Sequence, residues 1–244
     1  MNAIKFSLSG RTAFFKKPDV NTYLYFTYGQ IHKIALLGMV GAILGFKGYA
    51  QQSKNDVYPE FYSRLGNLKV AIRPETEKGY TSKKMQLFNN SVGYASQEQG
   101  GNLIVKEQWL EDPKWTIYLL TEDHADGLLI EKHFLEKHFI YYPYLGKNDH
   151  FATIRDIELV SLQGIEEVQK LDSLFVKDEN TKLESVYDED GYTSDWKYEE
   201  SLPISLNLET NQYETKKFAF TNMNAVLRDT SLCFLDENKC LFFF

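Results

Sequence analysis

Alternation of apolar and polar residues predicts several β-strands along the first two thirds of the chain. Ala3 to Leu8 and Phe151 to Leu162 alternate with the period of two that a half-buried strand requires. Leu68 to Ile72 and Trp115 to Leu120 are apolar runs of strand length. Gly127 to Phe139 instead spaces its apolar residues three and four apart, which predicts an amphipathic helix.

The segment from His32 to Tyr49 holds thirteen uncharged residues between its two lysines and is rich in glycine. A membrane span needs about 20 apolar residues in a row, so the segment predicts a buried helix. Its glycines, at positions 38, 41, 45 and 48, fall on one helical face. Each interior glycine costs roughly 1 kcal/mol relative to alanine, while Gly48 is a candidate for the C-cap. We therefore expect a close approach at this face, by the protein's own sheet or by a foreign backbone of protein or nucleic acid.

These elements follow one another as strand, helix, strand, strand, helix, strand. This is the order of an α+β, ferredoxin-like or RNA-recognition-type βαββαβ domain, to which we assign residues 1–163. The polar run from Glu75 to Asn102 lacks apolar periodicity and predicts a protruding hairpin or long loop, a thumb-like insertion over about residues 75–107. Residues 164–244 are predicted to form a β-rich C-terminal extension with an acidic surface loop at 178–200 and a buried last strand.

Charge divides the chain into two unlike parts. The net charge is −7, but residues 1–110 carry 14 Lys and Arg against 7 Asp and Glu, whereas residues 111–244 carry 13 against 27. Such asymmetry predicts a basic surface for a polyanion beside an acidic surface that faces solvent or a basic protein. The alternative is that the division along the chain does not persist in three dimensions.

The chain offers little evidence for a metal or another cofactor. Cys233 and Cys240 have neither a Cys-x-x-Cys partner nor a nearby histidine, so we interpret them as ordinary thiols of a cytoplasmic protein. No His-x-x-x-His or His-x-His spacing occurs, which disfavours a metal-dependent enzyme. We expect no cofactor and no membrane partner, and keep an unrelated metabolite-binding protein as an alternative.

Three stretches within residues 3–160 together resemble a known family. They are Ala13-Phe14-Phe15-Lys16-Lys17-Pro18 with Asn21 and the glycine-rich helix; Glu107-Gln108-Trp109-Leu110 with Asp112-Pro113 and Ile117-Tyr118; and Pro143-Tyr144-Leu145-Gly146-Lys147-Asn148-Asp149. In this order they are similar to the CRISPR-associated Cas-five proteins, nearest to those of type I-B systems. The resemblance implies a non-catalytic subunit of the Cascade surveillance complex. Such a subunit would bind the 5′ handle of the CRISPR RNA, cap the filament of backbone subunits and contact the large subunit that reads the protospacer-adjacent motif, reaching target DNA only indirectly.

Candidate RNA-binding residues follow from the resemblance and from the chemistry of single-stranded RNA, which is held by cations along its phosphates and aromatic faces under its bases. The cations are Arg11, Lys16, Lys17, Lys33 and Lys47, and the stacking candidates are Phe14, Phe15 and Tyr49. The resemblance adds Lys83, Lys84 and Phe88 in the thumb, where they would kink the RNA between handle and spacer, together with Asn21, Gly38, Gly41, Gly146 and Lys147. The alternative is a solvated surface for each lysine and the core for the phenylalanines.

Catalysis is a separate question, because relatives in type I-C systems cleave the precursor RNA themselves. Metal-independent cleavage needs a base near the 2′-hydroxyl and an acid or cation at the scissile phosphate. His32, with Lys33 and Tyr49, is the grouping that would supply such a site. His133 and His138 lie five residues apart on the predicted helix, about 140° apart in direction, so we do not expect them to meet.

Overall fold

The computed structural model describes residues 1–19, 23–179 and 181–244. Within them the helices are α1 (Lys33–Leu44), α2 (Glu60–Leu65) and α3 (Gly127–Leu135). The strands are β1 (Asn2–Ser9), β2 (Thr12–Ala13), β3 (Val70–Pro74), β4 (Lys83–Asn89), β5 (Ile104–Glu111), β6 (Lys114–Leu120), β7 (Thr153–Ser161), β8 (Gln163–Gly164), β9 (Phe175–Val176), β10 (Lys182–Glu184), β11 (Lys197–Leu206), β12 (Tyr213–Thr221), β13 (Asn224–Val226), β14 (Cys233–Asp236) and β15 (Lys239–Phe242). None of the described helices is long and apolar enough to cross a membrane. The mixture of helices with mainly antiparallel strands confirms the predicted α+β class.

The strand β1 lies inside a four-stranded antiparallel sheet with the order β3-β6-β1-β7. Its alternation decides which side chains face the core: Ile4, Phe6 and Leu8 are fully buried on one face. The helices α1 and α3 cover that face, with the ring of Phe134 5.0 Å from that of Phe6. The four strands of this sheet and the two helices that cover it follow one another along the chain as β1, α1, β3, β6, α3, β7, which is the predicted succession, while β2, α2, β4 and β5 come between them.

The opposite face of this sheet is covered by the hairpin β14–β15. Phe234, Leu241 and Phe243 of the hairpin pack there against Ala3, Ala71, Tyr118 and Leu120. A buried carboxylate fixes the contact, because Asp236 accepts a hydrogen bond from Tyr118 Oη (2.8 Å) and pairs with Lys5 Nζ (2.9 Å). RNA-recognition domains stack bases on this face of their sheet, so the hairpin closes that part of it to RNA.

The helix α1 begins at a histidine cap and ends at a glycine. His32 is the N-cap, and its Nδ1 accepts a hydrogen bond from the Ala35 N–H (3.2 Å). Gly45 is the C-cap in the left-handed conformation, with φ 81°. The expectation that Gly48 caps the helix is therefore wrong: the chain leaves the helix three residues earlier, and Gly45 is not an interior glycine.

The polar run after β3 forms the hairpin β4–β5, one of the two forms predicted for it. The two strands pair from Lys83 opposite Leu110 to Asn89 opposite Ile104, and β2 lies on the other edge of β5. The hairpin thus extends to Glu111, slightly beyond the predicted insertion.

The C-terminal extension adds a second sheet, with the order β11-β12-β9, to the same core. Leu202 and Phe218 of this sheet belong to the apolar cluster that contains Leu36 and Val40 of α1. Residues of both predicted segments therefore share one core. The predicted acidic loop at 178–200 is only partly a loop, because β10 and the start of β11 lie within it. The last strand, β15, is followed by the buried Phe243 and Phe244, which confirms the prediction of a buried end.

Candidate nucleic-acid interface

A cavity of about 760 Å³ opens beside α1. Its floor is the stripe of small residues Ala35, Gly38 and Ala42, and aromatic side chains form much of its wall. Seven residues predicted from the sequence line it: Phe14, Phe15, Lys16, His32, Gly38, Tyr49 and Gly146. No acidic side chain lines it in the described part of the chain. The fold thus brings three parts of the chain to one cavity: the segment Phe14-Phe15-Lys16, the glycine-rich helix α1 and the loop that contains Gly146.

The two interior glycines of α1 have different surroundings. A Cβ atom at Gly41 would lie 2.5 Å from Phe61 Cβ, which is closer than two carbon atoms can approach. Gly41 is therefore needed because α2 packs directly on α1, and the close approach is made by a helix of the chain itself. A Cβ atom at Gly38 would meet only Phe61 Cε2, at 3.8 Å, and otherwise faces the cavity. Gly41 is a packing residue, which corrects its assignment to an RNA contact.

Gly146 holds the loop after Pro143 against the basic segment. Its φ of 87° favours glycine, and a Cβ atom there would collide with the carbonyl oxygen of Phe14. The Phe14 N–H donates to the Leu145 carbonyl (3.1 Å). The backbone of this loop therefore positions the segment that carries Lys16.

The burial of Phe14 and Phe15 contradicts the expectation that their rings stack under RNA bases. Their side chains are only 5% and 2% exposed. The Phe15 ring meets the rings of Trp115 and His32 edge-on, each at 6.1 Å between centroids. Both phenylalanines are therefore core residues, which was the alternative that the sequence left open for them.

The predicted cations differ in how available they are. Lys16 is exposed, with Nζ 4.0 Å from the centroid of the Tyr25 ring. Lys17 instead pairs with Glu200 of β11, with 3.2 Å between Nζ and Oε1. Arg11 and Lys47 are exposed, and neither forms an ion pair with another described residue. Among the described residues, Lys16 is thus the cation that lines the cavity and forms no ion pair.

Lys33 cannot contact RNA in this structure. Its side chain is buried, and Nζ donates a hydrogen bond to the Phe244 carbonyl (3.1 Å). Burial, together with a smaller effect of the charge of Lys69, lowers the pKa of Lys33 to about 8. This corrects the prediction of a phosphate contact: the C-terminal residue packs over the amine, a contact that joins positions 211 residues apart.

His32 and Tyr49 line the same cavity in different ways. His32 is 2% exposed, and burial lowers its pKa to about 3, so the ring is neutral at pH 7. The rings of Tyr28 and Tyr213 each lie 5.2 Å from the His32 ring, edge to face. Tyr49 is 48% exposed, and burial is the largest cause that raises its pKa to about 12.

A second cluster lies on the hairpin. Lys147 Nζ is 3.2 Å from Glu107 Oε1 and 5.1 Å from the centroid of the Phe88 ring. Phe88 in turn packs on Trp109, with 6.4 Å between ring centroids, and Lys84 Nζ lies 5.8 Å from the Trp109 ring. The structure brings these predicted residues together, but Glu107 and Glu111 partly neutralise the two lysines.

Two further candidates, Lys83 and Asn21, are not part of this cluster as the structure describes it. Lys83 lies on the exposed face of β4, and its pKa is lowered chiefly by burial, with Glu200 and Lys17 as the charges near it. Asn21 lies outside the described residues.

Several residues of the cavity wall were not among the candidate site residues predicted from the sequence. Tyr141, Tyr142 and Tyr144 come just before the Gly-Lys pair, and Tyr142 is 87% exposed. Three tyrosines within four positions are a signal that could have been used. Tyr213 comes from β12 of the extension, and no local pattern near it indicates that it reaches this site.

His133 and His138 do meet, contrary to expectation. Their rings stack at 5.2 Å with an angle of 8° between planes, and His133 Nδ1 lies 2.7 Å from the His138 carbonyl oxygen. The helix α3 ends at Leu135 and Lys137 takes a left-handed conformation, φ 53°, which turns His138 back. The helical spacing rule does not apply because the helix ends between them.

The fold is similar to that of two solved CRISPR structures. One is a chain of a "CRISPR RNA-guided surveillance complex", with a TM-score of 0.52 and 12% identity over 92% of this chain and 90% of that one. The other is a CRISPR protein from Archaeoglobus fulgidus, with a TM-score of 0.51 and 9% identity over 99% of this chain and 98% of that one. No family model matches the sequence, and no curated protein does. At these identities the likeness establishes a shared fold over nearly the whole chain.

Proposed function

We propose that this protein is a non-catalytic, RNA-binding subunit of a CRISPR surveillance complex of the Cascade class. The observation that carries the proposal is the cavity beside α1, where residues of the first and the third of the stretches that resemble the Cas-five family converge. Those stretches are separate in sequence, so their convergence needs a common cause. Binding of one ligand by both of them supplies that cause, and the CRISPR proteins of the same fold support the identity of the ligand as a CRISPR RNA.

The proposal also covers the fold family, the roles of the hairpin and the extension, and the type of complex. The sheet order β3-β6-β1-β7, with two helices on one face, supports classification as a ferredoxin-like domain. The hairpin β4–β5 would act as the thumb, and residues 164–244 as the extension. We propose a type I-B complex, in which the protein grips the 5′ handle of the CRISPR RNA and contacts the backbone and large subunits in antiviral defence or RNA-guided DNA targeting.

The properties of His32 and Lys33, two of the candidate catalytic residues, favour a binding role over a catalytic one. A general base works best with a pKa near the operating pH, whereas the pKa of His32 is lowered to about 3 by burial. Lys33 is buried against the Phe244 carbonyl and points no charge at the cavity. A repeat endoribonuclease is therefore the less favoured alternative. A metabolite-binding protein is the other, favoured by the size of the cavity, which falls within the range of about 300–1,000 Å³ usual for small ligands.

Co-purification tests the proposal directly. Tagged full-length protein, expressed with its genomic neighbours, should bring down one uniform RNA class that begins with a repeat-derived handle. Lys16→Glu should reduce the recovered RNA, and Lys182→Glu, which changes an exposed lysine that lines no part of the cavity, should not. Recovery of the protein without RNA would contradict the proposal, and recovery with a bound small molecule would favour the metabolite alternative.

A further inference from the structure

We infer that the cavity beside α1 holds one nucleobase turned out of the RNA strand, and that His32 Nε2–H donates a hydrogen bond to an acceptor atom of that base. The inference rests on the proposed function, because it takes the ligand to be single-stranded RNA. It adds a residue that contacts the base, and a pocket for that base, to the proposed function.

The hydrogen-bonding state of His32 follows from its role as the helix cap. Nδ1 accepts from the Ala35 N–H, so in the neutral ring the proton is on Nε2. No described residue accepts a hydrogen bond from Nε2, although the side chain is 98% buried and lines the cavity. Nε2 is not among the described side-chain atoms that are both sealed from solvent and without a partner, so it is open to the cavity, where an acceptor atom of a ligand can reach it. Because burial keeps the ring neutral, Nε2 remains a donor throughout the physiological pH range.

The walls and the floor of the cavity suit a flat, neutral group. Tyr49, Tyr142 and Tyr213 present aromatic rings, and bases stack on such rings with little dependence on sequence. Gly38 leaves the floor open, since even a Cβ atom there meets no neighbour closer than 3.8 Å. Lys16 is the single lysine or arginine of the lining in the part of the chain that the structure describes, and it can neutralise the phosphate of the same nucleotide.

Charge argues for a base inside the cavity and its phosphate outside. One lysine and a neutral histidine are too little positive charge to draw a phosphate into an aromatic pocket. A base brings no charge to desolvate, and its ring nitrogens and carbonyl oxygens are acceptors that the Nε2–H can satisfy. The base is then held by one fixed donor, whereas its phosphate is held by Lys16 outside the pocket.

The experiment uses purified full-length protein and synthetic handle RNAs in which one position at a time is abasic. His32→Asn keeps the cap, because the asparagine side chain can accept from the Ala35 N–H, but it is too short to donate into the cavity. Gly38→Met fills the cavity. Gly164→Met is the matched control, because it makes the same change at a glycine with nothing within 4 Å of its Cβ and outside the cavity.

We expect removal of the base at one particular position to weaken binding to the wild-type protein by roughly tenfold or more. His32→Asn and Gly38→Met should each weaken the binding of intact RNA by about tenfold. Both variants should bind the RNA that is abasic at that position as well as the wild-type protein does. Gly164→Met should bind every RNA as the wild-type protein does. Equal binding of every RNA by wild type and the cavity variants would overturn the base pocket and leave RNA binding standing. Failure of the wild-type protein to bind any of the RNAs would overturn the proposed function as well.

Discussion

Lys17 Nζ lies 3.2 Å from Glu200 Oε1, an ion pair that joins the basic N-terminal segment to the acidic C-terminal extension. The same carboxylate accepts hydrogen bonds from the Gly29 N–H (2.8 Å) and from Tyr198 Oη (2.6 Å). The opposite charges of the two parts of the chain therefore partly neutralise each other within the molecule. The surface left for a polyanion is smaller than the charge of residues 1–110 implies.

Because Lys17 is paired with Glu200 and Lys16 is not, we expect charge reversal of the two lysines to have different effects on RNA binding. Lys16→Glu should weaken RNA binding and reduce the slope of log K against log salt by roughly 0.7, the value for one lost phosphate contact with a single strand. Lys17→Glu places a second carboxylate against Glu200 and should mainly lower the melting temperature. Titrations at several salt concentrations, with thermal unfolding of both variants, distinguish the two. Identical slopes and melting temperatures would contradict the distinction.

The two glycines of α1 should respond to alanine with opposite signs. Gly38→Ala fits into free space and should raise the free energy of unfolding by up to about 1 kcal/mol, because alanine is the better helix former. Gly41→Ala puts a methyl group against Phe61 Cβ and should lower it by about 1–3 kcal/mol. Urea unfolding of the two variants beside wild type measures both changes. Gly41→Ala as stable as Gly38→Ala would show that α2 does not pack on α1 as described.

Glu199 should make stability depend on pH. Burial alone would raise its pKa, but hydrogen bonds from the lysines at positions 177, 217 and 197 outweigh that effect and lower the pKa to about 2. A carboxyl whose pKa is lower in the folded state stabilises fully above its ordinary pKa of 4.5, and this contribution is lost as pH falls towards 2.

Glu199→Gln should therefore lower the free energy of unfolding at pH 7 by about 2 kcal/mol, from three partly exposed ion pairs of up to about 1 kcal/mol each. The gap between variant and wild type should narrow steadily below pH 4.5 in denaturant titrations. Glu209→Gln, at an exposed carboxylate in none of the ion pairs of the described residues, is the control. A gap that stays constant between pH 7 and pH 3 would argue against the lysine cluster.

The buried histidine allows a test of the non-catalytic role. General acid–base groups typically contribute 10²–10⁴-fold to a rate, yet the low pKa of His32 makes it a poor base at pH 7. Purified protein in EDTA should leave a labelled repeat RNA uncut over hours while retaining it. His32→Ala and Tyr49→Phe should leave maturation of the CRISPR RNA intact. Cleavage at the handle boundary that either substitution abolishes would make this chain the processing enzyme.

Local patterns were sufficient for the parts of the fold that depend on near neighbours. The alternation of Ala3 to Leu8 predicted β1, and the apolar segment after His32 predicted α1, because a strand or helix has to bury one face whatever covers it. The polar run after β3 left a hairpin or a loop open, and the structure has the hairpin. The division into residues 1–163 and 164–244 stays a prediction.

What the sequence alone determined is thus the α+β class, the succession of the four strands β1, β3, β6 and β7 with the helices α1 and α3, and seven of the residues that gather at the cavity. Only the tertiary structure decided which of them are available. Phe15 lies in the core, Lys33 is covered by Phe244, and the sheet face is closed by β14–β15. Tyr213 reaches the cavity from the extension, far along the chain from α1. These outcomes depend on contacts between residues a hundred or more positions apart, such as Phe15 with Trp115 and Lys33 with Phe244. The periodicity of a short segment shows which face is buried but not which distant residue buries it.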